Sequence, residues 1–365
     1  MAAIHNSPAH QSLFTDVLRV SEHLSESREQ TAAQDWLAKN ATQIRAITKL
    51  PGDASTRQYY RLEGERETFI LMSMESFTEH GQKLPFLAVQ KHLKACEIDV
   101  PDVLAASPEK GLILLEDLGD VTLLRRLQDV SSADIERHLY QKVLDQLVRL
   151  QVLASPRPGA AELDAFKLCF DFEKLMWEVG FTIEHFYEKH LKREIRDRDR
   201  KVIQDGFSEI CRFLAEQPTV LAHRDFHSRN IMVTSGADGT ERLVMIDFQD
   251  ARLGPAQYDL VSLLKDSYYQ LEESQIRRLI DYYIARREAL SGERINLELF
   301  YDVFDMMSVQ RCFKAIGSFA SFLNRRGNPT YLKFIGNTFE SIRRVLLKHP
   351  RFSELREVLF HYYYF

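Results

Sequence analysis

One stretch constrains this chain more than any other. His223-Arg224-Asp225-Phe226-His227-Ser228-Arg229-Asn230 sets a carboxylate and a carboxamide five residues apart. Ile246-Asp247-Phe248-Gln249-Asp250 then brings a second carboxylate seventeen residues beyond Asn230. Between them, Ile231-Met232-Val233 and Leu243-Val244-Met245-Ile246 flank Ser235-Gly236-Ala237-Asp238-Gly239, which reads as a β-hairpin. Such a hairpin returns Asn230 and Asp247 to the mouth of one cleft. A lone Asp or Asn usually caps a turn. The full string followed by Ile-Asp-Phe demands a defined loop–hairpin–loop unit.

Composition bounds the rest. The chain has 365 residues, 45% hydrophobic and 28% charged, enough for two lobes with a sizeable core. The net charge of -5 and the scattered cations give no basic footprint for nucleic acid. The run from Arg196 to Lys201 alternates with Asp197 and Asp199 and reads as a solvated helix face. Cys96, Cys169, Cys211 and Cys312 lack any C-x-x-C spacing, so reduced thiols are expected rather than disulfides or zinc. No apolar run approaches a membrane span, and the N-terminus has no signal-peptide pattern. A soluble cytoplasmic protein is expected.

Along the chain, Leu13, Val17, Val20 and Leu24 recur at helical spacing, and a second helix is expected from about Glu29 to Asn40. Strand patterns follow at 44–47, 58–62 and 68–74, a meander of at least three antiparallel strands. A helix from about Leu84 to Ala95 leads to two further strands, at Val100–Val103 and Gly111–Leu115. From Gly119 the pattern is helical. Ser131-Ser132-Ala133-Asp134 resembles a capping box ahead of an Ile135, Leu139, Val143, Leu147 stripe. An aromatic-rich helix is expected from about Phe172 to His190, one β interruption around the central motif, then three or four helices. The closing His361-Tyr362-Tyr363-Tyr364-Phe365 is expected to dock on the helical part. The fold class is α+β, with an N-lobe of small antiparallel sheet (1–118) and a mainly helical C-lobe (119–365).

The chemistry of the motif is that of phosphoryl transfer. In that reaction an H-R-D-x-x-x-x-N loop supplies a base and a metal ligand, and a following Asp-Phe-x the second metal contact. Asp225 is the candidate base for an attacking hydroxyl. Asn230 and Asp247 offer the hard oxygen ligands that Mg²⁺ prefers. His223 braces the loop through a backbone hydrogen bond, and His227 reads as structural support, since neither sits in a helical H-x-x-x-H context. Leu114-Leu115-Glu116-Asp117-Leu118-Gly119 lies where sheet gives way to helices and can offer backbone groups to an adenine edge while apolar neighbours cover its faces. The loop Pro51 to Thr56 has one glycine, so neither a G-x-G-x-x-G nor a Walker loop is present. Asp53, Ser55 and the backbone amides can face phosphates, with Arg57 as a nearby cation.

At these residues the chain resembles the aminoglycoside phosphotransferase and choline kinase superfamily, a branch of the protein-kinase-like two-lobe fold. Within it the resemblance is closer to the bacterial anomeric sugar kinases, which phosphorylate N-acetylmuramate and N-acetylglucosamine at C1 in cell-wall recycling. It runs from about Arg28 to Leu347. It is carried by Gly52-Asp53-Ala54-Ser55 with Arg57 and Tyr60-Arg61, by Leu114 to Asp120, and by His223 to Asn230 and Ile246 to Ala251. Gly254-Pro255, Tyr258 to Leu264, Gln310-Arg311 with Lys314 and Gly317, and Tyr331-Leu332 extend it.

The resemblance implies an ATP- and Mg²⁺-dependent kinase with a small-molecule sugar as acceptor. It implies Asp225 as base, Asn230 and Asp247 as Mg²⁺ ligands, and Glu116, Asp117 and Leu118 at adenine. The loop of Gly52, Asp53, Ser55 and Arg57 would lie over the phosphates, and Asp259 would support the catalytic loop. Met72 stands where the wider kinase pattern carries a phosphate-binding lysine. Arg57 is the candidate replacement. Candidates for sugar recognition are Asp171, Glu173 and Glu178 on the aromatic-rich helix, with Arg311 and Lys314 further on. Two other readings stay open: a kinase for another small alcohol (an aminoglycoside, choline or homoserine), supported by Asp171, Glu173, Glu178 and Trp177, and a nucleotide-binding pseudokinase that regulates a partner, supported by Met72. No nucleic acid or membrane partner is implied, and the sequence carries no signal for an oligomeric state.

Overall fold

Alternating buried and exposed side chains make a sheet of the first part of the chain. The computed structural model describes residues 45–51, 57–64, 67–158, 162–236 and 239–364. The helices expected at 13–24 and 29–40 and the loop residues 52–56 lie outside this set. Strands β1 (Ala46–Lys49), β2 (Gln58–Glu63), β3 (Thr68–Ser73), β4 (Val103–Ser107) and β5 (Leu112–Glu116) form one antiparallel sheet in the order β1-β2-β3-β5-β4. The expected three-strand meander is its first half. Tyr60, Leu62, Phe69, Leu71, Ala105, Leu112 and Leu114 pack together on it. Met72, read above as standing in place of a lysine, pairs with Tyr59 and Ile113 and has no exposed surface.

The strand expected at Val100–Val103 begins only at Val103. Pro101 has no N–H for a ladder, and its carbonyl instead accepts from Gln90 Nε2 at 3.0 Å. Gln90 lies on α1 (Pro85–Ala95), the helix expected there.

The chain divides into two compact units. Of the described residues, one takes those up to Lys91 with Val100–Asp120, the other His92–Asp99 with those from Val121 on. The second is built on helices α2 (Leu123–Gln128), α3 (Ala133–Leu153), α4 (Phe172–Thr182), α5 (Asp197–Ala215), α6 (Gln257–Leu264), α7 (Glu273–Ser291), α8 (Leu297–Arg326), α9 (Ile335–Lys348) and α10 (Ser353–Tyr364). Five of these follow the central motif, against the three or four expected. Helix α3 is capped by Ser132, whose Oγ accepts from Asp134 N at 3.2 Å. Residue N3 is then Ile135, which cannot reciprocate, so this is a single cap and not a capping box. Ile135 itself is 43% exposed, and the buried stripe begins at Leu139.

Helix α4 ends at Thr182, and the chain continues as a π-helix over Ile183–His190 where a single α-helix was expected. The backbone of Leu191 reaches five residues back to Phe186 O. The run after Arg196 is also not wholly solvated. Asp199 is buried and accepts from Tyr362 OH at 2.7 Å and Arg196 Nε at 2.8 Å. Tyr363 stacks on Phe339 at 4.5 Å, so the aromatic C-terminus docks as expected.

Helix α8 is the spine of this unit. Gly317 faces Thr182 of α4 so closely that a Cβ there would lie 2.3 Å from Oγ1 and 2.7 Å from Cα. Thr182 Oγ1 donates across to Phe313 O at 3.0 Å. The four cysteines are free. No helix among the described residues is long and apolar enough to cross a membrane.

Candidate active site

The central motif is an excursion pinned at its base. Strands β6 (Thr219–Ala222) and β9 (Arg252–Pro255) pair antiparallel, Ala222 opposite Arg252. They clamp the two ends of residues 223–251. This second β element was not expected, because four-residue strands, one reading Arg-Leu-Gly-Pro, carry no periodic signal. Gly254 is required there, since a Cβ would meet Phe170 Cδ2 at 2.7 Å. Within the excursion, β7 (Ile231–Ser235) and β8 (Glu241–Met245) form the expected hairpin.

Backbone hydrogen bonds fix the loop between β6 and β7. Asp259 on α6 accepts from the amides of His223 at 2.6 Å and Arg224 at 3.0 Å, the loop support expected of it. Arg224 takes φ +83°, a left-handed conformation costly for a residue with a side chain. The two amide bonds to one buried carboxylate hold it there. His223 Nε2 donates to Ile246 O at 3.0 Å, the expected brace, and ties the loop to the segment after β8. Burial pushes His223 down to about 4 and His227 to about 3, so both rings are neutral. His227 packs edge-on against Tyr268. Asp266, which the sequence did not single out, accepts from Ser228 N at 2.9 Å and from the Ser228 hydroxyl. Phe226 and Phe248 are buried anchors on either side.

Asp225 projects from this frame with 26% of its side chain exposed. Its Oδ1 faces two cations of α8, Arg311 NH2 at 3.4 Å and Lys314 Nζ at 3.5 Å. Burial alone would raise the carboxyl. The positive field of Lys314, Arg311 and Arg224 outweighs it and holds Asp225 well below the usual carboxylate range. Arg311 is anchored by Ser262 Oγ at 3.0 Å and lies over the Tyr258 ring. Arg224 in turn pairs with Asp250 at 2.8 Å.

Asn230 and Asp247 come together. Asn230 Nδ2 donates to Asp225 O at 3.0 Å and lies 3.4 Å from Asp247 Oδ2. The amide nitrogen being so used, its Oδ1 is left as an oxygen donor for a ligand. Asp247 also takes a left-handed φ, +66°, and its Oδ1 accepts from Gln249 Nε2 at 2.6 Å. Gln249 and Asp250 thus brace Asp247 and Arg224 respectively. No cluster of three or more His, Cys, Asp or Glu able to hold a metal occurs among the described residues. Two protein oxygens suit an ion that keeps its waters and takes the rest of its shell from phosphate, as Mg²⁺ does.

The other predicted residues separate into groups. Gly52, Asp53 and Ser55 lie outside the described residues. The Asp117 carboxylate is engaged by Arg61, Nε to Oδ2 at 2.7 Å and NH2 to Oδ1 at 3.0 Å, and by Gly119 N at 2.9 Å. Glu116 Oε2 accepts from Asp102 N at 3.2 Å. These side chains are thus tied within the first unit, and Leu118 is buried.

Of the sugar candidates, Asp171 is exposed and caps α4 by accepting from Lys174 N at 2.8 Å, and Glu173 is exposed in its first turn. Neither joins Asp225. Glu178 does belong with the α8 cations. It is 1% exposed, accepts from Gln310 Nε2 at 3.1 Å, faces Lys174 Nζ at 3.4 Å, and acts electrostatically on Arg311 and Lys314. Gln310 and Tyr258 are further members that periodicity shows only as helix residues. Gln310 Oε1 and Tyr258 OH are buried without hydrogen-bond partners.

Comparison with known proteins agrees with this geometry. Residues 46–292 match the phosphotransferase enzyme family. The N-acetylmuramate/N-acetylglucosamine kinase of Pseudomonas putida is 30% identical over 315 residues, 86% of this chain and 87% of that one. The protein of the same name from Neisseria meningitidis serogroup B is 31% identical over 314 residues, 86% of this chain and 89% of that one. Among solved structures, choline kinase LicA from Streptococcus pneumoniae superposes with a TM-score of 0.56 at 13% identity, covering 87% of this chain and 99% of that one. An ADP-bound aminoglycoside phosphotransferase, APH(2'')-Ib, gives 0.54 at 15% identity, covering 85% and 96%. These two show the same α+β, protein-kinase-like fold. The chain belongs to the phosphotransferase enzyme family and is an enzyme that transfers a phosphoryl group from ATP to a hydroxyl.

Proposed function

We propose that this enzyme phosphorylates the anomeric C1 hydroxyl of N-acetylmuramate and N-acetylglucosamine, in cell-wall recycling, with Asp225 as its base. The observation that carries the reading is the Asp225 carboxylate. It is ionised and only partly exposed, and the main-chain carbonyl of the same residue accepts from Asn230, which also faces Asp247. In the reaction the acceptor oxygen forms a bond to the γ-phosphorus, the bond from that phosphorus to the ADP oxygen breaks, and the acceptor proton passes to Asp225 and then to solvent. A carboxylate so strongly ionised is a weak base. Its part is to orient the hydroxyl and take the proton late, which a loose transition state permits.

Asn230 Oδ1 and Asp247 are the residues that would hold Mg²⁺. When bound, the ion neutralises charge on the phosphate oxygens. For the nucleotide we assign Glu116, Asp117 and Leu118 to the adenine through backbone groups, because the Asp117 carboxylate is engaged by Arg61. The loop of Gly52, Asp53 and Ser55, with Arg57, is assigned to the phosphates. For the sugar, Gln310 and Tyr258 supply buried polar atoms that hydroxyl or acetamido groups would satisfy, with Glu178 holding Gln310. The names of the Pseudomonas putida and Neisseria relatives support the choice of acceptor.

The test is a phosphorylation panel over both amino sugars, an aminoglycoside and choline. Turnover of the two amino sugars, lost by about 10³-fold in Asp225→Asn, is the expected result. Preference for a cationic alcohol, or an undiminished Asp225→Asn rate, contradicts the proposal.

A further inference from the structure

The partners of Asp225 are divided unequally between its two oxygens. Oδ1 faces both Arg311 and Lys314, at 3.4 and 3.5 Å, and Oδ2 has no partner among the described residues. The two cations lie three residues apart on α8, so they project from the same face. Their helix is held rigidly. Gly317, one turn beyond Lys314, sits against the backbone of Thr182. Arg311 is fixed by Ser262 and Tyr258 on α6, the helix whose Asp259 also holds the loop backbone at His223 and Arg224. The same two helices therefore set both the main chain and the side chain of Asp225. Lys314 is a long side chain that would ordinarily stay in water, yet it is only 14% exposed. Its charge is spent on this carboxylate within a set that also includes Glu178.

We propose that Lys314, together with Arg311, is a positioning residue. The two α8 cations draw Oδ1 of Asp225 to themselves and leave Oδ2 turned to the acceptor hydroxyl. This replaces the expectation that both cations face the substrate directly. It fixes which carboxylate oxygen receives the proton. It also gives the carboxylate one orientation where an isolated aspartate would sample several, which matters when catalysis is mainly placement.

The inference builds on the assignment of Asp225 as base, and its test is separable from the choice of sugar. The rates of wild type, Lys314→Met, Asp225→Asn and the double variant are measured on whichever acceptor wild type turns over. Lys314→Met is expected to lose about 10²-fold in kcat with the KM of acceptor and ATP changed less than about 3-fold. Lys314→Arg should recover part of the loss. The double variant should be no slower than Asp225→Asn alone, because Lys314 acts only through Asp225.

A rise in acceptor KM with kcat retained makes Lys314 a substrate ligand and overturns the proposal, as do losses that multiply in the double variant. If Lys314→Met fails to fold, Lys314→Gln takes its place in the cycle. If wild type phosphorylates neither amino sugar but another alcohol, the assignment of substrate fails and the cycle still decides. If it turns over nothing, the crystal structure of Lys314→Met decides. An Asp225 carboxylate displaced from its present orientation supports the proposal, and an unmoved one overturns it.

Discussion

Gly317→Ala is the substitution whose effect the structure defines most closely. An added Cβ would stand 2.3 Å from Thr182 Oγ1, 2.7 Å from its Cα and 2.9 Å from its Cβ. Rotating the hydroxyl away relieves only the first contact. Ordinary contact begins near 3.4 Å, so α4 and α8 must part by about 0.7 Å at the Cα. Overpacking of this kind costs about 1–3 kcal/mol. It also carries Lys314, one turn away, and Arg311 from Asp225. Their 3.5 and 3.4 Å separations would lengthen past the range of a close ion pair. The expected result is a lower urea midpoint with an unchanged m-value, corresponding to about 1–3 kcal/mol, and a kcat reduced about 10-fold. Thr182→Ala in the same chain should restore little, because the Cα and Cβ contacts remain. A variant with wild-type midpoint and wild-type kcat refutes the reasoning.

Three further outcomes are expected. Asp259→Asn offers one acceptor oxygen and an NH2 to two backbone amides, so one buried N–H loses its partner. A loss of about 1–3 kcal/mol by denaturant titration, with kcat lowered and ATP KM little changed, is anticipated. His223 is neutral when folded, at about 4, against 6.5 in the unfolded chain. The unfolded state therefore binds the extra proton between those values, and stability is full above 6.5 and declines as the pH falls toward 4. The decline should reach about 1.4 kcal/mol per pH unit from this group, and His223→Gln should remove that share of the slope of midpoint against pH. Arg57→Ala should raise the KM for ATP several-fold if Arg57 stands in for the lysine absent at Met72; unchanged KM and kcat would show that it does not.

Much of this arrangement is legible in the sequence. Asp225, Asn230 and Asp247 are close in sequence, joined by one hairpin, so local spacing was enough to bring them together. The bracing role of His223 also follows from the loop it opens, whereas that of Asp259, 36 residues on, was implied only by the family resemblance. The β6–β9 clamp was invisible because a four-residue strand containing Gly and Pro has no period, and its pairing joins residues some thirty apart. Met72 could be named as a departure from the sequence alone, but that its side chain is wholly buried is a property of the packed sheet. The candidates on α4 separated only in three dimensions. Asp171 and Glu178 are two turns apart on one helix, yet one is an exposed cap and the other a buried partner of Gln310.

What the sequence determined by itself is the chemistry: a carboxylate, a carboxamide and a second carboxylate at fixed separations, which folding to a hairpin must bring together. What only the tertiary structure decided is how that carboxylate is held. Arg311 and Lys314 lie 86 and 89 residues from Asp225, and no local pattern relates them to it. They reach it because α8 packs against α4 at Gly317 and against α6 at Ser262 and Tyr258. Periodicity records which face of a helix is buried. The identity of the group it is buried against is set by packing, and there the orientation of Asp225 is decided.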